Sequence, residues 1–289
     1  MLFRSDVAMK QLLPGTEDPE LVSRFLREAR VTGQLEHPSI VPVYELGYRT
    51  DGSLFYTMRL VRGHSLEEEI GKRPALADRL NLLPHLLDLC QAIAYAHSRG
   101  VVHRDIKPLN VMIGEFGETV LIDWGIAKLR GMHDTRAGEL REAMDLMRNA
   151  PDDATLKTTY GQTLGSPYYM PPEQAAGDVN AVDERSDIYA LGAVLYAVLA
   201  GVPPYHGLTT RDFLDRVGAF PPRPVRELCP KAPPELAAIC IRAMAREPEK
   251  RYTSARELAE ELRRYFSGGL VNAYDYHMSE LAKRYIRKH

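Results

Sequence analysis

The sequence predicts an α+β fold of two lobes, a small β-rich lobe followed by a larger and mainly helical one. Strand patterns are concentrated before residue 61, and helical periodicity dominates the remainder. The run 188–199 is apolar nearly all round, which is typical of a helix at the centre of a domain. Strands and helices are segregated instead of alternating, which argues against a parallel βαβ sheet.

Each element of the first lobe follows from a local pattern. A strand is predicted at 6–12, and apolar residues at helical spacing predict a helix over 18–35. Asp18-Pro19 indicates its start, because Asp is a favoured N-cap and Pro suits the first helical position. Strands at 40–46 and 54–60 are separated by a hairpin turn.

The second lobe is predicted to be helical with two short strands. A helix pattern over 80–97 ends at Gly100, a suitable residue for the C-terminal end of a helix. Short strands at 111–113 and 119–122 flank a Gly-Glu-Phe-Gly turn. The run 255–266 predicts a closing amphipathic helix.

Composition excludes several classes of protein. The formal net charge of −2 gives no basic field for nucleic acid. Cys90, Cys229 and Cys240 are far apart, which favours a reducing compartment over a disulfide framework. The sequence has no run of about 18 apolar residues, so it predicts no membrane-spanning helix. The expected location is the cytoplasm, either alone or as the cytoplasmic part of a longer membrane-anchored protein.

The strongest chemical signal is the loop 103–110, with the sequence HRDIKPLN. Here an Asp is followed five positions later by an Asn, an arrangement that suits phosphoryl transfer. Asp105 can accept the proton of a hydroxyl group, and Asn110 can hold Mg²⁺. Lys107 can offset charge on the transferred group. Such a loop alone is more often an ordinary polar loop, so its interpretation depends on the motifs around it.

Two further features accompany this loop. Asp123 stands between an apolar strand and Gly125, where a carboxylate can bind a metal ion. Lys10 at the end of the first strand and Glu28 on the following helix can form an ion pair. Each is weak evidence alone, because an ordinary turn or a chance surface pair explains it equally well.

In this order, the motifs resemble those of the eukaryotic-type protein kinases, and of bacterial Ser/Thr kinases in particular. Residues 7–10 match the family's strand lysine motif, and Glu28 matches its helix glutamate. The loop 103–110 matches the catalytic loop, and 123–125 stands where Asp-Phe-Gly is expected. Segment 165–173 resembles the end of the activation segment, with Pro-Pro-Glu replacing Ala-Pro-Glu.

The resemblance implies a bilobal kinase fold that uses ATP and Mg²⁺ and phosphorylates Ser or Thr hydroxyls of proteins. The implied organisation is a truncated N-terminal lobe and hinge at 1–61 and a C-terminal lobe at 62–267. The C-terminal lobe includes a long activation segment, 123–173, and a basic tail follows at 268–289.

The resemblance also assigns roles to residues. The catalytic group is Asp105, Lys107 and Asn110, and the metal ligands are Asn110 and Asp123. The nucleotide contacts are Lys10 paired with Glu28, and around adenine Ala8, Met58, Arg59, Val61 and Met112. The structural residues are Glu173, Asp187 and Arg251, with Arg251 as the ion-pair partner of Glu173.

One expected motif is missing. The glycine-rich loop that covers the ATP phosphates should precede Lys10 by about twenty residues, but only nine residues precede it and none is glycine. We therefore expect weak ATP binding and slow turnover, because each backbone donor aimed at developing charge contributes about 10²–10³ in rate.

Two other classes of function remain open. A pseudokinase scaffold, or a weakly active fragment, is favoured by the missing loop and opposed by the retained Lys10, Asp105 and Asp123. A small-molecule phosphotransferase of similar fold is opposed by the Pro-Pro-Glu segment and Arg251. The expected partners are protein substrates and a second copy during autophosphorylation, and no nucleic acid.

The polar insert 129–157 lengthens the activation segment, which offers candidate regulatory sites. Arg104, beside the catalytic aspartate, can pair with a phosphate on Thr158, Thr159 or Thr163. Replacing Thr158 and Thr159 together by Ala is expected to lower kinase activity, because the segment loses its ordering phosphate. Unchanged activity in a peptide phosphorylation assay would contradict this mechanism.

Overall fold

The computed structural model of the chain describes residues 6–16, 18–129, 138, 167–178 and 180–281. Three predicted regulatory residues lie outside this described part, namely Thr158, Thr159 and Thr163. Most of the insert and the last eight residues of the basic tail also lie outside it.

The N-terminal lobe is a three-stranded antiparallel sheet with a helix packed against one face. Its strands are β1 (Val7–Gln11), β2 (Val43–Tyr48) and β3 (Leu54–Arg59), in the order β1-β3-β2. Helix α1 (Pro19–Gly33) starts where it was predicted, and its N-cap Asp18 accepts a hydrogen bond from the backbone N–H of Glu20 at 2.9 Å. The lobe is held together by Phe25 and Ala29 of α1 packed with Leu54 and Tyr56 of β3.

The predicted strand at 40–46 is wrong in its boundaries. The observed strand starts at Val43, after Pro42, which has no N–H group to donate to a ladder. The preceding residues bond to the other lobe instead. Val41 N–H donates to Leu121 O at 3.2 Å, and Leu121 N–H donates to Ser39 O at 2.8 Å. This segment therefore joins the two lobes.

The second lobe is mainly helical in its described part. Its helices are α2 (Leu66–Gly71), α3 (Leu76–Leu80), α4 (Leu83–Ser98), α5 (Pro172–Ala175), α6 (Glu184–Ala200), α7 (Thr210–Val217), α8 (Val225–Leu228), α9 (Pro234–Ala243) and α10 (Ala255–Phe266). Its strands are β4 (Gly63–Ser65), β5 (Val101–Val102), β6 (Val111–Gly114), β7 (Thr119–Leu121) and β8 (Lys128–Leu129). Strands β4, β6 and β7 form one small antiparallel sheet, and β5 pairs with β8. The predicted α+β fold class is confirmed.

Helix α6 forms the centre of this lobe, as its apolar sequence predicts. Every residue from Ser186 to Leu199 is buried. Helix α9 packs closely against it, because Gly192 has no side chain to keep the two helices apart. A Cβ atom at this position would lie 2.7 Å from Ala243 Cβ and 2.8 Å from Met244 Cγ. The core thus depends on a glycine inside a helix.

Charged groups hold both ends of α6. At the N-terminus, the Asp183 side chain accepts a hydrogen bond from the backbone N–H of Arg185 at 2.8 Å. At the C-terminus, the buried Arg79 guanidinium donates to Val198 O at 2.9 Å and to Leu199 O at 3.1 Å. An acid at the start and a cation at the end both complement the helix dipole.

The closing helix α10 has its predicted bounds, 255–266, and it anchors the chain that follows. Its Glu261 is 1% exposed and accepts hydrogen bonds from the backbone N–H groups of Asn272, at 3.2 Å, and Ala273, at 2.9 Å. Val271 is buried in the main core. The described part of segment 268–281 is therefore attached to the second lobe. No helix in the described ranges combines the length and apolar character needed to cross a membrane.

Candidate active site

The predicted pair of Lys10 and Glu28 is formed between the sheet and α1. Lys10 Nζ lies 2.5 Å from Glu28 Oε1, and the same oxygen accepts a hydrogen bond from the Tyr56 hydroxyl at 2.7 Å. Lys10 and Tyr56 are cross-strand partners in the β1–β3 register, so both side chains face α1. Burial, with the nearby Glu28 charge, raises the pKa of Tyr56, which therefore remains a hydrogen-bond donor.

The catalytic-loop candidates converge on the Asp105 carboxylate. Lys107 Nζ donates to Asp105 Oδ2 at 2.7 Å, and Asn110 Nδ2 donates to the same oxygen at 3.0 Å. Asn110 Nδ2 also donates to the backbone carbonyl of Asp105 at 2.8 Å. These bonds fix all three side chains relative to one another.

Opposing effects act on the charge of Asp105. A third of its side chain is exposed, yet the protein around the carboxylate raises its pKa by desolvation. The ammonium group of Lys107 acts in the opposite direction, and the Asp123 carboxylate adds a smaller upward effect. A carboxylate with a raised pKa is a better proton acceptor.

Asp123 lies in a strained turn beside the loop. Its φ of 63° is in the left-handed region, and its Oδ1 accepts a hydrogen bond from the Gly125 N–H at 3.2 Å. A Cβ atom on Gly125 would lie 3.1 Å from Asp123 Oδ1 and 3.3 Å from Glu28 Oε2. Glycine here lets the turn approach the pair of Lys10 and Glu28.

A buried ring pair supports this turn. Trp124 is 2% exposed and packs against the fully buried ring of His103, with 4.5 Å between the ring centroids. Burial lowers the pKa of His103, and its Nδ1 accepts a hydrogen bond from the backbone N–H of Asp105 at 3.2 Å. The neutral ring thus links the two predicted motifs.

The donor set at this site suits a hard cation. In the described part of the chain, the hydrogen bonds of the Asn110 amide use Nδ2, which leaves Oδ1 outside them. Asp123 is exposed and contributes a carboxylate. Among the described residues no group of three or more His, Cys, Asp or Glu side chains could enclose a metal. Mg²⁺ commonly accepts one or two protein ligands together with substrate phosphates, so these residues fit it.

The sequence of the chain matches the protein kinase domain over residues 4–263. The chain belongs to the protein kinase family. It is 35% identical over 277 residues to the serine/threonine-protein kinase PknD of Chlamydia trachomatis, covering 91% of this chain and 29% of PknD. It is 31% identical over 290 residues to PknD of Protochlamydia amoebophila, covering 92% of this chain and 28% of that protein. The chain therefore spans less than a third of these curated relatives.

A solved structure agrees with these matches. The kinase domain of Mycobacterium tuberculosis PknI is similar, with a TM-score of 0.63 and 27% identity, covering 91% of this chain and 86% of that one. These relatives confirm the prediction of a catalytic domain of the bacterial Ser/Thr protein kinase type. ATP as a substrate, typically with Mg²⁺, and protein substrates follow from the family in general.

In this kinase, four of the five predicted adenine residues lie on β1, β3 and β6, and the fifth, Val61, follows the end of β3. Ala8 and Met58 are cross-strand partners, and Met112 lies on β6 opposite Ser65. The backbone N–H of Arg59 donates to Pro42 O at 3.1 Å. The side chain of Arg59 lines a cavity beside α1.

The predicted structural residue Asp187 holds the catalytic loop of the kinase. Its carboxylate is fully buried and accepts hydrogen bonds from the backbone N–H groups of His103 and Arg104, each at 2.8 Å, and from His97 Nε2 at 2.8 Å. Burial opposes this charge, but the His97 and Arg104 hydrogen bonds keep the pKa of Asp187 below its usual value. Arg104 has a φ of 70°, and its carbonyl accepts a hydrogen bond from Gln174 at 3.0 Å.

The predicted pair of Glu173 and Arg251 is bidentate and buried. Arg251 Nη1 lies 2.8 Å from Glu173 Oε1, and Arg251 Nη2 lies 2.9 Å from Oε2. The Ser186 hydroxyl donates to Glu173 Oε1 at 2.6 Å. The remaining donors of the guanidinium bind the carbonyls of Arg185, Ala245 and Arg246. Every N–H of this arginine is therefore satisfied.

The sequence did not predict three residues that form hydrogen bonds with residues of the site, namely Tyr56, His97 and Gln174. Each binds a motif residue from a different element, so no local pattern reveals it. For Tyr56 a signal did exist, since a tyrosine two positions before the predicted Met58 lies on the same strand face. Neither His97 nor Gln174 has a comparable signal.

We predict that Arg251→Gln destabilises the kinase by about 3–5 kcal/mol, because it leaves the buried Glu173 charge without its partner. The neighbouring variant Lys250→Gln is the matched control, since its ion pair with Glu247 is exposed at the surface. Urea unfolding followed by circular dichroism measures both. Equal stability of the two variants would show that the buried pair contributes nothing.

Proposed function

We propose that this kinase transfers the γ-phosphoryl group of ATP to Ser and Thr hydroxyls of proteins, including its own chain. The observation that carries this proposal is the convergence of Lys107 and Asn110 on one oxygen of Asp105, within 3.0 Å. Phosphoryl transfer uses a base, a cation and a metal-binding amide held close together, so this convergence supports the proposal.

Asp105 is proposed as the group that orients the acceptor hydroxyl and takes its proton. Its raised pKa favours this role, and its fixed neighbours keep the carboxylate in one place. Lys107 is proposed to leave Asp105 in part when the substrates bind and to bind the transferred phosphoryl group. In that position it offsets charge that develops in the transition state.

Mg-ATP, when bound, supplies the phosphoryl group and the cation that neutralises its charge. Asn110 Oδ1 and the Asp123 carboxylate are the proposed metal ligands, which agrees with the preference of Mg²⁺ for oxygen. Lys10 is proposed to bind the α- and β-phosphates while Glu28 and Tyr56 hold it in position. A third of the Lys10 side chain is exposed, which supports contact with a ligand.

The adenine site is proposed to lie between Ala8 and Met112, with Met58 behind it. The backbone of the hinge, from Arg59 to Val61, would bind the edge of the base. The adjacent positions of Ala8 and Met58 in the β1–β3 register support this arrangement.

Regulation by loop phosphorylation is part of the same proposal. Arg104 would pair with a phosphate on Thr158, Thr159 or Thr163, after transient self-association of two kinase chains. This part is supported by sequence position, since Arg104 is adjacent to Asp105 and the threonines lie within 123–173.

No contact among the described residues favours the alternative of a non-catalytic scaffold. Lys10, Glu28, Asp105, Asn110 and Asp123 are present. In the described region Lys10 pairs with Glu28, and Asn110 donates a hydrogen bond to Asp105. A small-molecule phosphotransferase is also disfavoured, because the buried pair of Glu173 and Arg251 supports the segment implied to bind protein substrates.

We predict that purified kinase gains mass in steps of one phosphate after incubation with Mg-ATP, as measured by intact-protein mass spectrometry. Asp123→Ala should abolish the gain, because it removes a metal ligand. Asp78→Ala is the matched control, an exposed aspartate on α3 whose loss should change nothing. A chain that binds Mg-ATP, as followed by the fluorescence of its single tryptophan, Trp124, but gains no mass would support the scaffold.

We also predict that Lys107→Met lowers kcat by about 10²-fold and moves the acidic limb of the kcat–pH profile to higher pH. The ammonium of Lys107 lowers the pKa of Asp105, so its loss raises that pKa. A base works when deprotonated, and activity is then lost at a less acidic pH. Lys72→Met removes an exposed lysine that pairs with Glu69 away from the proposed catalytic residues, and it serves as the control. An unshifted acidic limb in Lys107→Met would argue against Asp105 as the base.

A further inference from the structure

The Glu28 carboxylate accepts two hydrogen bonds on a single oxygen. Lys10 Nζ donates to Glu28 Oε1 at 2.5 Å, and the Tyr56 hydroxyl donates to the same atom at 2.7 Å. Glu28 is only 7% exposed, and in the described part of the chain its side chain has no hydrogen-bond donor besides these two. A buried carboxylate needs such partners, because an unpaired charge is strongly unfavourable in a protein interior. Lys10 and Tyr56 therefore compensate Glu28 together.

Tyr56 is the fixed donor of the two. It lies on β3, the central strand of the N-terminal sheet, and only 3% of it is exposed. Its ring packs against the ring of Phe25 on α1, with 5.1 Å between the ring centroids. Burial and the Glu28 charge raise the pKa of the phenol, so the hydroxyl keeps its proton and remains a donor. This bond to Glu28 therefore does not depend on a flexible side chain.

Lys10 is the more mobile donor. It lies on β1, at the edge of the same sheet, and a third of its side chain is exposed. Its ammonium group carries three N–H donors, and among the described residues its recorded hydrogen bond is the one to Glu28. Lys10 can therefore turn part of its donor capacity toward a bound anion, while Tyr56 cannot.

Binding of an anion to Lys10 weakens the charge compensation of Glu28. If Lys10 were the single partner of this buried carboxylate, the phosphates of a nucleotide would compete with Glu28 for the same ammonium. A buried charged group that loses its hydrogen bond is penalised by more than an ordinary hydrogen bond contributes. That penalty would weaken nucleotide binding. A second donor that stays on Glu28 reduces it.

We propose that the Tyr56 hydroxyl is a positioning group for ATP binding, which keeps Glu28 hydrogen-bonded while Lys10 is shared with the phosphates. This role rests on the proposed function, in which Lys10 binds the α- and β-phosphates. Tyr56 does not touch the nucleotide and acts through Lys10. Because Lys10 and Tyr56 are direct cross-strand partners, both donors reach the same oxygen from neighbouring strands.

The variant Tyr56→Phe tests this role, because it keeps the buried ring and removes the hydroxyl. Its dissociation constant for Mg-ATP, measured by isothermal titration calorimetry on the whole chain, is expected to rise about three- to tenfold, the effect of one hydrogen bond. Tyr48→Phe is the matched control on the same sheet. Tyr48 is 69% exposed, so its variant is expected to bind Mg-ATP like the unmodified chain.

A double-mutant cycle distinguishes positioning from a merely structural contribution. In Lys10→Met there is no ammonium to share, so a further Tyr56→Phe change is expected to alter the dissociation constant for Mg-ATP by less than about twofold. If the hydroxyl only supported the fold of the lobe, Tyr56→Phe would weaken binding by the same factor with and without Lys10.

A second cycle needs no nucleotide. The Tyr56→Phe change is expected to lower the urea midpoint at least about twice as much in the Lys10→Met chain as in the unmodified chain, because the double variant leaves Glu28 with neither donor. Should the double variant fail to fold, adding Glu28→Gln is expected to restore folding, because it removes the uncompensated charge.

Weaker Mg-ATP binding of Tyr56→Phe that requires Lys10, together with the larger urea shift in Lys10→Met, would support the proposal. Equal Mg-ATP affinity of Tyr56→Phe and the unmodified chain would overturn it, as would an equal loss in both backgrounds. Equal urea shifts, or no rescue by Glu28→Gln, would overturn the role of Tyr56 alone. Failure of the unmodified chain to bind Mg-ATP would instead contradict the proposed function, and this role with it.

Discussion

The geometry of the active site depends on the buried carboxylate of Asp187. It accepts hydrogen bonds from the backbone N–H groups of His103 and Arg104, at 2.8 Å each. These two residues immediately precede Asp105 in the sequence. Arg104 has a left-handed backbone, which costs about 1–3 kcal/mol for a residue other than glycine. Hydrogen bonds to a charged acceptor contribute about 1.5–3 kcal/mol each. Two such bonds therefore suffice to hold the strained loop, and Asp105 points where it does because Asp187 is ionised.

This carboxylate is effective because it belongs to a helix that is buried along its central length. Helix α6 is buried along its whole central length and held at both ends, by Asp183 at the start and Arg79 at the end. Ser186 precedes Asp187 on the same helical turn, and its hydroxyl donates a hydrogen bond to Glu173. One helical turn thus positions both the catalytic loop and the segment that follows the long insert.

The sequence predicted those parts of the site in which a motif is local. The spacing of Asp105 and Asn110 lies within a single loop, so their contact follows from chain geometry. The strand and helix patterns only allow the pair of Lys10 and Glu28, and it was the family resemblance that assigned it. The other contacts of the site depend on strand register and on how the helices pack, which a local sequence pattern does not show. His97 is ninety positions from Asp187, and no local pattern indicates that α4 and α6 pack with these residues together.

The charge on Asp105 shows why the site needs its buried environment. Exposure alone would leave an ordinary carboxylate, a weak proton acceptor near neutral pH. Desolvation raises its pKa, and without the Lys107 counterion that pKa would be higher still. Lys107 limits the rise while remaining close enough to bind a second anion. In the proposed mechanism, the same lysine favours the ionised form of Asp105 before transfer and binds the phosphoryl group during it. These two roles require a flexible cation with several hydrogen-bond donors, which the lysine ammonium provides.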